Sequence, residues 1–401
     1  MSEPSVRVAI VGAARTPLGK HGGALRNTPA VALGAVATVE ALRRARVAPR
    51  EVPELVFGHC IQAGAGQNSA RQVLRRSGLR DTAGGVTVNK VCGSGMKALL
   101  FATAEIRSGE FPLAVAGGME SMSQAPFLLP SKFRWGQRYG DVVAEDAMLK
   151  DALLDAYGEH EHMGATGERI ARRFHLTREE VDRFALRSHQ RASEARDSGL
   201  FDAEIAPVPP DQTPGAEGLA RDEGPRGDTS LEKLGRLRPA FSAKGLLTAG
   251  NSSQLSDGAA ALVIMSEAEA TRRGVDPLAW VHSGVVSGVS PPRVMESPIP
   301  AVRAHLKRSG FSAKDFDRVE HNEAFASASI AVQRALGFSE AQFNVHGGAV
   351  ALGHPIGASG ARIVVTLLYE MMRAKSRLGL ATLCMGGGNG LSLILDRREL
   401  T

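Results

Sequence analysis

The chain has 401 residues, a formal net charge of +6 and only three cysteines. A chain of this length can bury a large core and is long enough for two or three domains. It contains no apolar run of membrane-spanning length and no basic run interleaved with aromatic residues, which argues against a membrane protein and against nucleic acid binding.

The N-terminal part alternates strands with helices. Apolar runs that predict strands occupy residues 6–11, 55–60 and 113–116. The last of these runs is closed by Gly117 and Gly118. Thr28 predicts a helix N-cap, with Pro29 at the first position of an Ala-rich helix that ends near Arg46. This alternation is typical of an α/β unit with a largely parallel sheet.

The character of the sequence changes over residues 122–249, where continuous apolar strands disappear. Thr177 and Glu180 form a capping box that predicts an amphipathic helix ending near Gly199. Residues 207–229 are rich in Pro, Gly and Asp and predict irregular surface chain. We therefore expect an insertion with its own helices that lies over the sheet unit and contributes ligand contacts.

The α/β pattern then resumes and repeats the pattern of the first part. Further elements are predicted as strands at 258–265 and 380–383 and helices at about 297–309, 324–337 and 361–372. GSGMKALL is followed about twenty residues later by LAVAGGMESMS, and GASGARIV at a similar distance by LATLCMGGGNGLS. This indicates either an internal duplication into two similar α/β halves or a coincidence of Gly-rich turns.

Residues 89–100, NKVCGSGMKALL, place Cys92 where an apolar strand turns into a helix. Gly93 and Gly95 allow a tight turn and close packing there. The positive end of a helix favours the thiolate, which is the nucleophilic form of cysteine. Cys92 is therefore either a catalytic nucleophile or an inert buried cysteine.

Two more Gly-rich stretches carry reactive side chains, His354 in GGAVALGHPIGASGAR and Cys384 in CMGGGNG. In a duplicated fold such turns lie at one end of the sheets, where ligands bind. A cysteine beside a histidine is the nucleophile–base pair of covalent catalysis. A second cysteine can act as the base that removes a proton next to a carbonyl. The alternatives are a loop histidine and a structural core cysteine.

The sequence resembles the thiolase family over nearly its whole length, and within that family the short-chain, biosynthetic acetyl-CoA C-acetyltransferases. The matching motifs occur in the order known for the family. They are NKVCGSGMKA (89–98), GGMESMS (117–123), HMG (162–164), LRPAF (237–241), TAGNSS (248–253), NEAFA (322–326), GGAVALGHPIGASGAR (347–362) and CMGGGNG (384–390).

The resemblance implies an α/β thiolase fold, in which two duplicated halves form a layered α-β-α-β-α core. It implies an N-terminal half at residues 1–121, completed by about 250–275. A loop domain that covers coenzyme A would follow at 122–249, and the C-terminal half would occupy 276–401.

The resemblance also implies catalytic roles. Cys92 matches the nucleophile that accepts the acetyl group, and His354 matches the residue that activates it. Cys384 matches the acid/base that deprotonates the second substrate. Asn322 matches the residue that holds a water in one oxyanion hole beside His354. The backbone N–H groups of Cys92 and Gly386 match the second oxyanion hole.

For coenzyme A, the resemblance implies contacts from His162, Met163 and Ser253. Arg226 matches a position beside the adenine ring, although a solvated surface arginine is the alternative.

His346 departs from many relatives, which have Asn before Gly-Gly. This departure weakens any expectation about the hydrogen bonds around that glycine pair.

The expected reaction joins two acetyl-CoA into acetoacetyl-CoA and free CoA, and runs in reverse, through acetyl-Cys92 and with no metal or redox cofactor. The expected partners are acetyl-CoA, acetoacetyl-CoA and CoA, with no nucleic acid and no membrane, and the resemblance implies a dimer or a dimer of dimers. The alternatives are a longer-chain 3-ketoacyl-CoA thiolase and a non-catalytic CoA or lipid carrier. Cys384 disfavours a decarboxylating ketoacyl synthase, which needs no second cysteine.

The cysteines and the N-terminus lead to an expected location. The spacing of Cys60, Cys92 and Cys384 excludes a disulfide framework and a CxxC metal site. Sparse, unpaired cysteines suit a reducing compartment. The first residues contain neither a signal peptide nor an Arg/Ser-rich transit segment. We therefore expect a cytoplasmic protein, whose positive charge either solubilises its surface or steers a polyanionic substrate.

Overall fold

The computed structural model describes residues 6–212 and 218–400. The strands in these residues are β1 (Val8–Arg15), β2 (Gly19–Lys20), β3 (Glu54–Gly58), β4 (Gly84–Val88), β5 (Leu113–Ser121), β6 (Phe127–Leu128), β7 (Glu145–Asp146), β8 (Ser256–Ser266), β9 (Ala279–Gly288), β10 (Arg318–His321), β11 (Leu378–Met385) and β12 (Asn389–Asp396). The α-helices are α1 (Ala30–Ala45), α2 (Ser69–Arg76), α3 (Ser94–Arg107), α4 (Met163–Arg173), α5 (Arg178–Asp197), α6 (Leu231–Gly235), α7 (Glu267–Arg273), α8 (Pro298–Ser309), α9 (Ala326–Leu336), α10 (Ala349–Leu352) and α11 (Ile356–Arg373). None of these helices is long and apolar enough to cross a membrane.

The main sheet consists of two similar halves. Its order is β10-β11-β12-β9-β1-β8-β5-β3-β4, with the halves joined between β9 and β1. Outward from this junction, β1-β8-β5-β3 makes two antiparallel pairings and then a parallel one. The series β9-β12-β11-β10 repeats these pairings. The repeat confirms the predicted duplication.

The halves enclose a central helical layer made of α3 and α11. Apolar residues of both helices pack with strands of both halves in a single buried cluster. Helices α1 and α2 cover the outer face of the N-terminal strands, and α8 and α9 cover the outer face of the C-terminal strands. This is the expected α-β-α-β-α layering.

Two glycines set how closely the central helices approach. A Cβ atom at Gly95 would lie 2.8 Å from the backbone nitrogen of Ala361, and one at Gly360 would lie 2.6 Å from that of Met96. Backbone atoms cannot move aside as a flexible side chain can. The N-terminal turns of α3 and α11 therefore touch only because both positions lack a side chain.

The chain between β5 and β8 carries α4, α5 and α6. Thr177 caps α5 with the predicted capping box to Glu180. A buried ionic cluster ties this segment to β1, because Arg15 contacts Glu204 at 2.6 Å and Asp222 at 2.7 and 2.9 Å. Breaking a buried pair of this kind typically costs about 3–5 kcal/mol. The segment is thus firmly attached to the sheet.

Three expectations about elements are wrong. Thr28 does not cap α1, because Pro29 is itself the N-cap residue and its carbonyl accepts from Ala32 and Leu33. Strand β5 does not stop at its glycine pair, because its hydrogen bonding with β8 continues to Ser121. The N-terminal sheet is mixed, since β3 runs parallel to β4 and β5 while β8 is antiparallel to both of its neighbours.

Candidate active site

Cys92 lies in a strained turn between β4 and α3. The preceding residue, Val91, has φ 49°, which is costly for a β-branched residue. Side chains hold this turn in place. The backbone N–H of Val91 donates to Asn89 Oδ1 at 3.0 Å, that of Lys90 donates to Ser94 Oγ at 2.8 Å, and Ser94 Oγ donates to the Val91 carbonyl at 2.6 Å. The strain is localised at the proposed nucleophile.

The turn after β11 lies directly against the Cys92 turn. A Cβ atom at Gly93 would lie 2.0 Å from Met385 Sδ, and one at Gly386 would lie 3.1 Å from Val91 Cγ1. Cys384, the penultimate residue of β11, is buried, and its thiol donates to Met295 Sδ at 3.7 Å. The structure thus brings the two Gly-rich cysteine motifs together.

His354 immediately precedes Pro355 and α11, and it is buried. Its Nδ1 lies 2.5 Å from Ser359 Oγ, and its Nε2 lies 3.4 Å from Asn322 Nδ2. The backbone N–H of His354 donates to the Gln254 carbonyl at 2.9 Å. The Oδ1 atom of Asn322 is buried and has no hydrogen-bond partner among the described residues. It is therefore suited to receive a hydrogen bond from a water or a ligand.

Burial sets the protonation states of the site. It raises the pKa of Cys92 to about 11, although the backbone N–H groups of Gly386 and Cys92 lower that pKa. Burial also raises the pKa of Cys384, and negative charge on Cys92 raises it further. The pKa of His354 falls to about 3 through burial and the charge of Arg362. At neutral pH the site holds two thiols and a neutral imidazole.

The expectation that the helix end favours the Cys92 thiolate is therefore wrong. Desolvation acts more strongly on this thiol than the N–H groups that point to it. Because the thiolate is disfavoured, Cys92 needs a base, and a neutral imidazole can accept its proton. The same N–H groups can stabilise an oxyanion that forms beside the sulfur.

The residues expected to contact coenzyme A lie on the segment between β5 and β8. His162 caps α4 by accepting from the Gly164 N–H at 3.0 Å, and its ring stacks on Phe241 with centroids 5.0 Å apart. Burial lowers the pKa of His162. Met163, the first residue of α4, is half-buried.

Ser253 joins this segment to the NEAFA motif, because its backbone N–H donates to the Ala324 carbonyl at 3.0 Å. Arg226 is exposed, and its backbone N–H donates to His189 Nδ1 at 3.2 Å.

His346, which stands before the glycine pair, contacts Glu370 at 2.7 Å through its Nε2 atom. The His346 side chain thus bonds to α11, and among the described residues it makes no hydrogen bond to the glycines that follow it.

One buried acid was not singled out by its sequence pattern. Glu120 on β5 accepts from the backbone N–H groups of Cys60, Ile61 and Gly357 at 3.2, 3.3 and 2.9 Å. Its Oε1 lies 3.3 Å from His59 Nε2. Glu120 therefore holds the start of α11, directly after His354. An acidic residue inside an otherwise apolar strand is the signal that could have identified it.

The family comparisons cover almost the whole chain. The model described as "Thiolase, N-terminal domain" matches residues 8–268, and "Thiolase, C-terminal domain" matches residues 275–397. Acetyl-CoA acetyltransferase of Escherichia coli K12 is 47% identical over 97% of this chain and 98% of its own length. The enzyme of the same name from Cupriavidus necator is 45% identical over 98% and 99%.

A solved structure agrees with this match. The crystal structure of the Bacillus anthracis acetyl-CoA acetyltransferase superposes with a TM-score of 0.95 and 41% sequence identity, covering 98% of this chain and 100% of that one. Both halves of the sheet, the segment between β5 and β8 and both cysteine motifs fall within the matched residues. The chain therefore belongs to the thiolase family.

Proposed function

We propose that this thiolase is an acetyl-CoA C-acetyltransferase, which condenses two acetyl-CoA into acetoacetyl-CoA and CoA and catalyses the reverse thiolysis. The observation that carries the proposal is the contact between the Cys92 and Cys384 turns, together with the neutral His354. The names of the relatives with 45–47% identity support acetyl-CoA as the substrate.

In the first step His354 acts as the base for Cys92. Its Nε2 takes the thiol proton while the sulfur bonds to the thioester carbonyl carbon. The bond from that carbon to the CoA sulfur breaks, and Nε2 returns the proton to the departing CoA. The N–H groups of Cys92 and Gly386 stabilise the developing oxyanion, and removing one such donor typically costs about 3 kcal/mol.

In the second step Cys384 acts on another acetyl-CoA. Its thiol proton passes to Nε2 of His354, and the resulting thiolate removes a methyl proton from that acetyl-CoA. The carbanion that forms bonds to the acetyl carbonyl carbon. The bond from that carbon to Cys92 Sγ breaks, and protonated His354 gives its Nε2 proton to the released sulfur, which restores two thiols and a neutral imidazole. A water held by Asn322 and the N–H of protonated His354 stabilises the enolate.

Coenzyme A is covered by residues 122–249, which we propose as the loop domain, with sheet halves at 1–121 plus about 250–275 and at 276–401. His162, Met163 and Ser253 contact the pantetheine arm, and Arg226 lies by the adenine. This assignment is supported by the stacked His162–Phe241 pair and by the exposure of the Arg226 side chain. The net charge of +6 favours a polyanionic substrate.

We also propose a homo-oligomer, a dimer or a dimer of dimers, in the cytoplasm. The segment from β6 to the start of α4 exposes large apolar side chains, among them Trp135 at 83% and Tyr139 at 93%. A cluster of this kind marks an interface. The three free cysteines suit a reducing compartment.

Mass spectrometry after mixing with acetyl-CoA tests the proposal. We expect one acetyl group on Cys92 and none in a Cys92→Ala variant. Cys60→Ala, which removes another buried thiol, retains the adduct. A wild-type protein without an acetyl adduct would contradict the proposal. The thiolysis rate is then measured for 3-ketoacyl-CoA substrates of increasing chain length. Its dependence on chain length separates the short-chain enzyme from the longer-chain alternative.

A further inference from the structure

We infer that Ser359 is a positioning residue that fixes the tautomer of His354, keeping the hydrogen on Nδ1 and the lone pair on Nε2. The inference rests on the proposed function, since it concerns His354 as the base for Cys92. Ser359 itself is fully buried in the first turn of α11. It touches His354 and does not touch the thiol, so it acts through the imidazole.

The first argument comes from the hydroxyl of Ser359. Its Oγ lies 2.8 Å from the Pro355 carbonyl oxygen and 2.5 Å from His354 Nδ1. The carbonyl can only accept, and a hydroxyl has one proton. If that proton pointed to Nδ1, two oxygen atoms would face each other at 2.8 Å with no proton between them. The proton therefore goes to Pro355, and Nδ1–H donates to Oγ.

The second argument comes from the opposite side of the ring. His354 Nε2 lies 3.4 Å from Asn322 Nδ2, which is an N–H donor. A hydrogen on Nε2 would bring two donors face to face. Both ring nitrogens thus indicate the same tautomer.

This tautomer matters for acylation because a neutral imidazole carries only one N–H. With that hydrogen on Nδ1, Nε2 can take the proton of Cys92. Without Ser359, Nδ1–H would be buried and unpaired, a state that costs free energy. The ring would then favour the Nε2–H tautomer, which cannot act as the base.

The chain offers a matched control in Ser392 and His305. Ser392 Oγ lies 2.9 Å from His305 Nδ1, and both residues are fully buried. His305 belongs to α8 and has no place in the proposed mechanism. Ser392→Ala therefore removes the same kind of hydrogen bond without touching the catalytic histidine.

The experiment combines a spectroscopic and a kinetic readout on the full chain. Long-range ¹H–¹⁵N spectra of ¹⁵N-histidine-labelled protein report the tautomer, with His354 assigned from its absence in His354→Asn. Wild type should show the hydrogen on Nδ1. Ser359→Ala should shift it to Nε2 and slow single-turnover acetylation of Cys92 by about 100-fold, within the range for a lost general base. Ser359→Thr, which keeps the hydroxyl, should restore both readouts, and Ser392→Ala should change neither.

A wild-type His354 with its hydrogen on Nε2 would overturn the inference, and so would wild-type acetylation by Ser359→Ala. The tautomer in the wild-type protein decides the matter even if Ser359→Ala fails to fold. Absence of acetylation in the wild type would refute the proposed function and leave the tautomer measurement valid.

Discussion

At the residue scale, the site is built from groups that burial keeps uncharged. The shift of the Cys92 pKa from 9.0 to about 11 corresponds to about 3 kcal/mol against the thiolate. A helix N-terminus usually contributes only about 0.3–1 kcal/mol to a nearby negative charge. Desolvation therefore prevails, and reactivity must come from proton transfer to His354.

The raised pKa of Cys92 predicts how the rate of its alkylation by iodoacetamide depends on pH. The prediction applies to a His354→Asn variant, which lacks the proposed base. The thiolate fraction should still rise between pH 9 and 10, because the pKa of about 11 lies above that range. The alkylation rate of Cys92 should rise about tenfold over that unit. Peptide mass spectrometry measures it, and a plateau below pH 9 would contradict the prediction.

Replacing Cys384 by alanine should separate the two half-reactions. Acetylation of Cys92 should persist, since the proposed base for it, His354, is intact. Condensation should fall by about 10²–10⁴-fold, the usual contribution of a positioned acid or base. Acetoacetyl-CoA formation is followed by its absorbance, with Cys60→Ala as the control thiol variant. Condensation at the wild-type rate would remove Cys384 from the role of base.

The identities of the site residues could be predicted from sequence, while their charge states could not. Cys92, His354 and Cys384 stand in Gly-rich motifs whose order is distinctive. Their protonation depends on how deeply the folded chain surrounds them. Glu120 reaches Gly357 across 237 positions of sequence, and no local pattern records that contact.

At the element scale, the contact between α3 and α11 limits what the central layer tolerates. Gly95→Ala places a Cβ atom 2.8 Å from the Ala361 backbone nitrogen. We expect a loss of about 1–3 kcal/mol in unfolding free energy, as overpacking typically costs. Acetylation should also slow, since α11 follows His354.

Urea denaturation measures the effect, with Gly235→Ala as the control. Gly235 lies in α6, and a Cβ atom there meets nothing within 4 Å. That variant should be neutral or up to about 1 kcal/mol more stable. Equal stability of the Gly95→Ala variant and wild type would mean that the helices can separate without cost.

His305 on α8 should make stability depend on pH. Burial, with the charges of Arg308 and His282, lowers its pKa from 6.5 to about 4. Its stabilising contribution is complete above pH 6.5 and is lost as the pH falls towards 4, because only the unfolded chain binds the proton readily. Relative to the His305→Leu variant, the wild-type protein should lose about 3 kcal/mol of unfolding free energy as the pH falls from 6.5 to 4. A constant difference in unfolding free energy would contradict this.

Helices with strong end signals could be predicted closely, and strand ends could not. Helix α8 occupies 298–309, close to the predicted 297–309. Strand β5 passes through its glycine pair because close packing, and not a turn, requires both glycines. A Cβ atom at Gly118 would lie 2.2 Å from the Gly357 carbonyl oxygen of α11, and one at Gly117 would lie 2.6 Å from the Phe57 ring of β3. Only the packing of distant parts of the folded chain explains that pair.

At the scale of the whole molecule, the exposed aromatic cluster should govern assembly. Replacing Trp135 and Tyr139 together by serine removes the two most exposed aromatic side chains of the cluster. We expect a smaller oligomer with an unchanged fold, measured by light scattering and circular dichroism. Val39→Ser, an exposed change on α1, should leave the mass unchanged. An unaltered mass in the double variant would place the interface elsewhere.

The pairing of β1 has a consequence for biosynthesis. Its two neighbours in the sheet are β8, at Ser256–Ser266, and β9, at Ala279–Gly288. At about 5–20 residues per second, the ribosome makes β8 on the order of ten to fifty seconds after β1. Until then the backbone of β1 can pair only at its last residue, Arg15, which bridges to Ile205, and the N-terminal half cannot close. Folding of this half therefore finishes only after the entire intervening segment has been made, and the waiting strand is the part of the nascent chain that most needs a chaperone.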